Sequence, residues 1–499
     1  MNISCIRPFR VSLLALFVIS GVPCSVTQAQ MPRAQTIDRL LEEAPFNRAQ
    51  WGILIMDEDG HEIYSRNADQ LFIPASTTKL VVSAAASALL PPSFTAATSV
   101  YATGHVRSGV LDGDLVVYGR GDPTFSARCY GLDTLAVGAC DSLWSKIDAL
   151  AADIVAKGVR HVTGAIVGDG SYFDAQLVHP AWEFYDLNWW YAAPVGALGF
   201  NDNSLDVTYA PGANVDVPVR VSFNPDLGFV LFENRTRTLP EGERRTIDFF
   251  REPGTVKIWA EGGVPANASE RTEYFAVPDP NHYFAVALRS TLARHGVSIA
   301  GPTRSTTDST MYKAYRTAQP IAEVHSRSLP DLIFPILNSS QNWFAEMLVK
   351  TLGKQIRGEG SWSAGLEAER RFLTDSVGVD TTAFYLSDAS GLSSGNLLTP
   401  RVFVQLLSYM HEHPNNGGFM RGLARSGQKG SLERRFLGTP LEGRVVAKTG
   451  SISHVNTLAG YIEQPGGTRL TFAVMANNHV APYSAILAKI DSIVVAVGR

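Results

Sequence analysis

The chain has 499 residues, of which 45% are hydrophobic and 18% charged, with a formal net charge of −4. That length exceeds what one hydrophobic core serves, so two or three domains are expected, and the apolar content excludes a disordered chain. The slightly negative balance offers no basic field and no long block of like charge, which argues against nucleic acid as a partner.

The first element concerns export. "MNISCIRPFRVSLLALFVISGVPCSVTQAQ" has Arg7 and Arg10, an apolar stretch from Val11 to Val22, and Thr27-Gln28-Ala29 as a small-x-small cleavage site. This is the build of a secretory signal peptide over residues 1–29, and its apolar stretch is too short to span about 30 Å of hydrocarbon. The mature chain is therefore expected to carry no transmembrane span and to work in the periplasm or at the exterior of the cell envelope. Its remaining cysteines, Cys129 and Cys140, are expected to pair as a disulfide. The 11 histidines are scattered without paired-ligand spacing, so no metal site is expected.

A short helix is predicted over Asp38–Glu43, and "WGILIMDEDGHEIYSRN" reads as two strands joined at Glu58-Asp59-Gly60. The Ala- and Leu-rich run after Ser76 reads as a buried helix starting at Pro74 to Ser76. Residues 97–315 change texture to short β-like runs separated by Gly, Pro and Asn. Helical patterns return after Pro320, followed by "GRVVAKTGS", "NTLAGYIEQ" and "RLTFAVMAN" as strands and "SAILAKIDSIVVAVG" as a closing helix. That helix offers only Lys489 and Arg499 as cations, with Asp491 opposing them, so it is expected to cover a sheet rather than lie on a membrane. Strands at both ends with helices between them predict an α+β domain, 36–96 and 316–499, interrupted by a mostly β insert at 97–315 that divides into two subdomains.

Ser76 and Lys79 stand three residues apart at the head of the apolar helix, which puts them within reach of each other. A serine hydroxyl needs a base, and a lysine serves as one when burial lowers its pKa; the helix N-terminus adds N–H groups suited to a developing oxyanion. The spacing recurs by chance, as in Ser426 and Lys429, but that copy sits in a Gly-rich loop with no helix to fix it. Two further signals are Ser340-Gln341-Asn342, just before a helix beginning near Trp343, and Lys448-Thr449-Gly450-Ser451 in a strand-like run. Gly450 there is expected to let a ligand backbone approach the strand. Ser394-Gly395-Asn396 is a rival match in a turn.

Ser-x-x-Lys, Ser-x-Asn and Lys-Thr-Gly in that order resemble the low-molecular-mass penicillin-binding proteins, specifically the D-alanyl-D-alanine carboxypeptidase/endopeptidase family with a large insert in the transpeptidase domain. "GRGDPTF", "GDGSYFD" and "LSDASGLSSGNLLTP" are similar to further landmarks of that family, so the resemblance covers nearly the whole mature chain. It implies a transpeptidase domain with an antiparallel sheet flanked by helices. The implied substrates are peptidoglycan stem peptides ending in D-Ala-D-Ala or their cross-links, with β-lactams as covalent inhibitors. By this resemblance Ser76 is the nucleophile, Lys79 its general base, Ser340 a proton relay, Asn342 a ligand to the substrate amide and Lys448 an electrostatic anchor. The N–H groups of Ser76 and Ser451 form the oxyanion hole, and Thr449 and Ser451 grip the terminal carboxylate; neither metal nor organic cofactor is implied. Asp169 is the candidate contact to the stem-peptide diamino acid. A β-lactamase or esterase on the same residues, and a non-catalytic peptidoglycan-binding or β-lactam-sensing protein, are the alternatives.

Overall fold

The computed structural model describes residues 25–126, 128 and 142–498. The signal-peptide reading up to residue 24 and the Cys129–Cys140 pairing lie outside the described residues. Among the described residues no helix is long and apolar enough to cross a membrane. The helix predicted over Asp38–Glu43 is observed as the end of a longer one, Ser25–Glu42.

The fold is α+β. Six strands form one sheet in the spatial order Glu62–Arg66, Gln50–Met56, Arg469–Asn477, Val455–Glu463, Val445–Ile452 and Ala424–Arg425. Each pairing in it is antiparallel. The turn at 58–60 is closed by Gly60 at φ 83° and by Asp57 Oδ1, which accepts from the amides of Asp59 (3.1 Å) and His61 (2.8 Å). The edge strand Ala424–Arg425 is too short to give an alternating pattern and escapes the sequence reading.

Successive strand residues point to opposite faces. Ile53, Ile55, Leu458, Phe472 and Val474 pack on one face against Ile37 and Leu41 of the first helix and Ile486, Ile490, Ile493 and Val497 of the closing helix, Tyr483–Gly498. Leu54, Val446, Ala459, Tyr461, Ala473 and Met475 pack on the other, against helices Lys79–Leu89 and Pro400–Glu412. With both faces covered, the strands read as near-continuous apolar runs. Lys448 stands two residues beyond Val446 and therefore belongs to the second face, the one that meets the helices.

The helix expected to begin near Trp343 is observed from Asn342, separated from the preceding helix by a break at Ser340. Helix Leu329–Asn338 ends before Ser340, which adopts φ 62°, and helix Asn342–Arg357 begins afresh with the Gln341 side chain accepting from the Trp343 amide (3.3 Å). The described residues between 97 and 325 form a five-stranded sheet, a four-stranded sheet and two three-stranded sheets. The five-stranded sheet takes its last strand, Ala322–His325, from beyond residue 315. Helices Ser145–Ala156 and Pro280–Arg294 accompany these sheets; the second starts with Pro280, and the Asp279 side chain caps it by accepting from the His282 amide (3.0 Å).

Candidate active site

Ser76 lies in a 3-10 turn, Ala75–Thr78, that runs directly into helix Lys79–Leu89. Ala75 has φ 49°, a conformation that costs a residue with a side chain about 1–3 kcal/mol unless its surroundings hold it. They do: Thr77 Oγ1 and Thr78 Oγ1 donate to the carbonyls of Pro74 (2.7 Å) and Ala75 (2.8 Å), and Thr457 Oγ1 donates to Pro74 O from the sheet (2.7 Å). The strand carrying Lys-Thr-Gly lies tightly against this turn. A Cβ on Gly450 would stand 2.1 Å from Thr457 Oγ1, 2.7 Å from Pro74 O and 3.0 Å from the Thr77 nitrogen. The space expected to admit a ligand backbone at Gly450 is thus filled by the serine turn itself, and the glycine serves to dock strand on turn.

Lys79 is fully buried, and its Nζ donates to Ser76 Oγ (2.9 Å), Asn342 Oδ1 (2.7 Å) and the Ser390 carbonyl (2.6 Å). Burial pushes its pKa from 10.5 down to about 7, against the opposing pull of Asp388 and Glu346. A neutral population therefore exists near neutral pH, hydrogen-bonded to the serine it would deprotonate.

The sequence reading missed the buried layer behind this lysine. Glu346 Oε1 accepts from the Ser390 amide (2.7 Å) and its Oε2 from Trp362 Nε1 (2.7 Å). Asp388 accepts from the amides of Gly391 (2.8 Å) and Ser393 (2.7 Å), from Trp182 Nε1 (2.9 Å) and from Asn396 Nδ2 (2.7 Å). Together they pin the loop whose Ser390 carbonyl receives Lys79. Burial raises the Glu346 pKa to about 7, with Asp388 adding to the effect.

Ser340 and Lys448 complete the cluster. Lys448 Nζ donates to Ser340 Oγ (2.8 Å) and to the Thr449 carbonyl (2.6 Å). Burial, with Lys79 nearby, pushes its pKa well below the ordinary lysine range. Asn342 accepts from Lys79 through Oδ1 and donates through Nδ2 to the Tyr191 carbonyl (2.8 Å), which ties the segment carrying Tyr191 to the site. Ser76 and Thr449 are partly exposed and Ser451 is exposed, so the open side of the cluster presents hydroxyl groups. Ser76, Lys79 and Asn342 are thereby joined by direct hydrogen bonds, Ser340 and Lys448 form a second hydrogen-bonded pair beside them, and Thr449, Gly450 and Ser451 lie along the adjoining strand.

Asp169 is not presented to that opening. It is fully buried, its Oδ2 accepts from Arg316 Nη1 (2.5 Å) and its Oδ1 from the Ser171 amide (3.0 Å). Its expected contact with a substrate side chain is corrected to a buried ion pair with Arg316, because an ionised carboxylate at this depth requires a cationic partner. The rival motifs are also structural: Ser426 Oγ donates to the Leu441 carbonyl (2.8 Å), and Asn396 caps the turn at Ser387, accepting from its amide (2.7 Å).

Comparison with known proteins agrees with this architecture. The chain is 33% identical over 478 residues to a D-alanyl-D-alanine carboxypeptidase of Actinomadura sp. (strain R39), covering 92% of this chain and 83% of that protein. It is 24% identical over 421 residues to D-alanyl-D-alanine carboxypeptidase DacB of Haemophilus influenzae, covering 83% and 82%. The crystal structure of penicillin binding protein 4 (dacB) from H. influenzae superposes with a TM-score of 0.79 at 22% identity, covering 92% of this chain and 97% of that one. The same protein complexed with a β-lactam superposes with a TM-score of 0.74 at 21% identity, over the same 92% and 97%. Residues 33–496 match the D-Ala-D-Ala carboxypeptidase 3 (S13) family, and the chain belongs to it.

Proposed function

We propose that this chain is a serine D-Ala-D-Ala carboxypeptidase that also serves as an endopeptidase on D-Ala-containing cross-links, acting on peptidoglycan stem peptides in the periplasm or at the cell-envelope exterior. The observation that carries the reading is a buried lysine of depressed pKa 2.9 Å from a partly exposed serine. In the proposed reaction Lys79 Nζ takes the Ser76 hydroxyl proton as Oγ attacks the carbonyl of the penultimate D-Ala. The N–H groups of Ser76 and Ser451 receive the oxyanion, each such donor being worth roughly 3 kcal/mol in comparable sites. As the C–N bond breaks, Ser340 passes a proton to the leaving amine, and water then hydrolyses the ester on Ser76. Asn342 orients the substrate amide.

Lys448 makes its hydrogen bonds to uncharged oxygens, and a buried amine of that kind favours a ligand that brings its own negative charge. The terminal carboxylate of D-Ala, held by Lys448 with Thr449 and Ser451, supplies it. A β-lactam carries an equivalent carboxylate and acylates Ser76 by the same route. We also place the insert between residues 97 and 315, extended by the strand Ala322–His325 that completes its five-stranded sheet.

The test is to incubate purified protein with intact muropeptides and resolve the products by mass. Loss of one D-Ala from monomers and conversion of dimers to monomers are expected. Rapid turnover of β-lactams with neither product would replace the reading with a β-lactamase.

A further inference from the structure

The hairpin that follows Lys-Thr-Gly carries a polar network outside the catalytic cluster. Asn456 faces Ser451 directly across the two strands and is buried. Its Nδ2 donates to Ser451 Oγ (2.9 Å), and its Oδ1 lies 2.9 Å from His479 Nε2. His479 is buried just beyond the strand Arg469–Asn477, and its backbone carbonyl accepts from His454 Nδ1 (2.9 Å) in the hairpin turn. No motif in the sequence marks either residue.

We infer that Asn456 and His479 act as positioning residues that fix the direction of the Ser451 hydroxyl, leaving its proton free for the terminal carboxylate of the substrate. The inference rests on the carboxylate-gripping role proposed for Ser451 and adds what makes that role possible. A serine hydroxyl has one proton to give and can accept at the same time. Because the Asn456 amide donates to Oγ from the protein side, the Ser451 proton remains for whatever occupies the exposed side. The amide keeps that orientation only while its oxygen is engaged, and His479 Nε2 engages it when that nitrogen bears the proton.

Burial, reinforced by His454 and partly offset by the Ala481 backbone, pulls the His479 pKa below the ordinary histidine value, so the ring carries a single N–H near neutral pH. With Asn456 Nδ2 turned to Ser451 Oγ, its Oδ1 faces His479 Nε2 at 2.9 Å, and that pair is a hydrogen bond only when Nε2 bears the proton. The flipped arrangement, with Asn456 Oδ1 accepting from Ser451, would turn the serine proton inward and away from the substrate.

Steady-state kinetics on a stem peptide ending in free D-Ala and on its C-terminal carboxamide test the inference. Asn456→Asp replaces the amide donor with an acceptor that draws the Ser451 proton inward and adds negative charge behind it. It should raise KM for the carboxylate peptide roughly ten- to a hundredfold, the range for a lost charge-assisted hydrogen bond, while kcat changes by about threefold or less. The carboxamide peptide should be affected much less, so the wild-type preference for the carboxylate shrinks. His479→Ala should weaken that preference and His479→Gln, which keeps a donor toward Asn456, should restore most of it. Folded variants that label fully with penicillin and keep the wild-type preference would overturn the inference, as would His479→Ala and His479→Gln behaving alike if Asn456→Asp does not fold. Failure of the wild-type protein to cleave either peptide is a separate outcome, which refutes the proposed function and the inference with it.

Discussion

The pH dependence of acylation follows from the burial of Lys79. Moving its pKa from 10.5 to about 7 corresponds to roughly 5 kcal/mol of preference for the neutral amine, at about 1.4 kcal/mol per unit. An unperturbed lysine would be neutral in only about three molecules in ten thousand at pH 7, whereas here about half are. The base must be neutral to accept the Ser76 proton, so the rate is expected to rise about tenfold per pH unit below about 7 and to level off above it. Stopped-flow acylation by a fluorescent penicillin between pH 5 and 9 isolates this step from deacylation. Lys79→Arg should lose about 10²–10⁴-fold, since a guanidinium stays protonated throughout that range. A rate that is flat from pH 5 to 9, or a limb that appears only above pH 9, would refute the role assigned to this lysine.

Gly450→Ala should push the Lys-Thr-Gly strand off the serine turn, because its Cβ meets backbone atoms of Pro74 and Thr77 as well as Thr457. The cost is about 1–3 kcal/mol, and penicillin labelling should slow at least tenfold in protein that still melts cooperatively. Unchanged labelling would show that the contact does not align the site. Deleting residues 482–499 strips Ile486, Ile490, Ile493, Val494 and Val497 from the sheet, a loss of about 8–15 kcal/mol at 1.5–3 kcal/mol per buried side chain. That matches the entire net stability of a typical domain, so insoluble or unfolded protein is expected; a truncated form that folds and binds penicillin would contradict it.

The elements legible in the sequence are those where local pattern and tertiary role coincide. Val455–Glu463 and Arg469–Asn477 read as strands because both of their faces are buried, and the head of the Ser76 helix stands out because a lysine interrupts an apolar run. Ser340 marks where that legibility ends. The start of a helix near Trp343 is legible, but the left-handed conformation of Ser340 that separates it from the preceding helix is not, because no residue type in "NSSQN" announces a positive φ. Glu346 and Asp388 were equally hidden, since a carboxylate buried to receive backbone amides looks in sequence like any helix or loop acid. Asp169 illustrates the converse: its neighbourhood suggested a ligand contact, yet its partner Arg316 lies 147 positions away, beyond what local sequence can reveal. Gly450 was recognised as a close-approach position, and only the packed structure identifies the approaching backbone as the protein's own.

Covalent capture of the nucleophile tests the central claim most directly. After brief exposure to penicillin, intact-mass measurement followed by peptide mapping should find one adduct carrying the full mass of the antibiotic, on the peptide containing Ser76. The Ser76→Ala protein, shown to be folded by its melting transition, should carry none. An adduct on Ser340 or Ser426, or labelling that survives Ser76→Ala, would contradict the account.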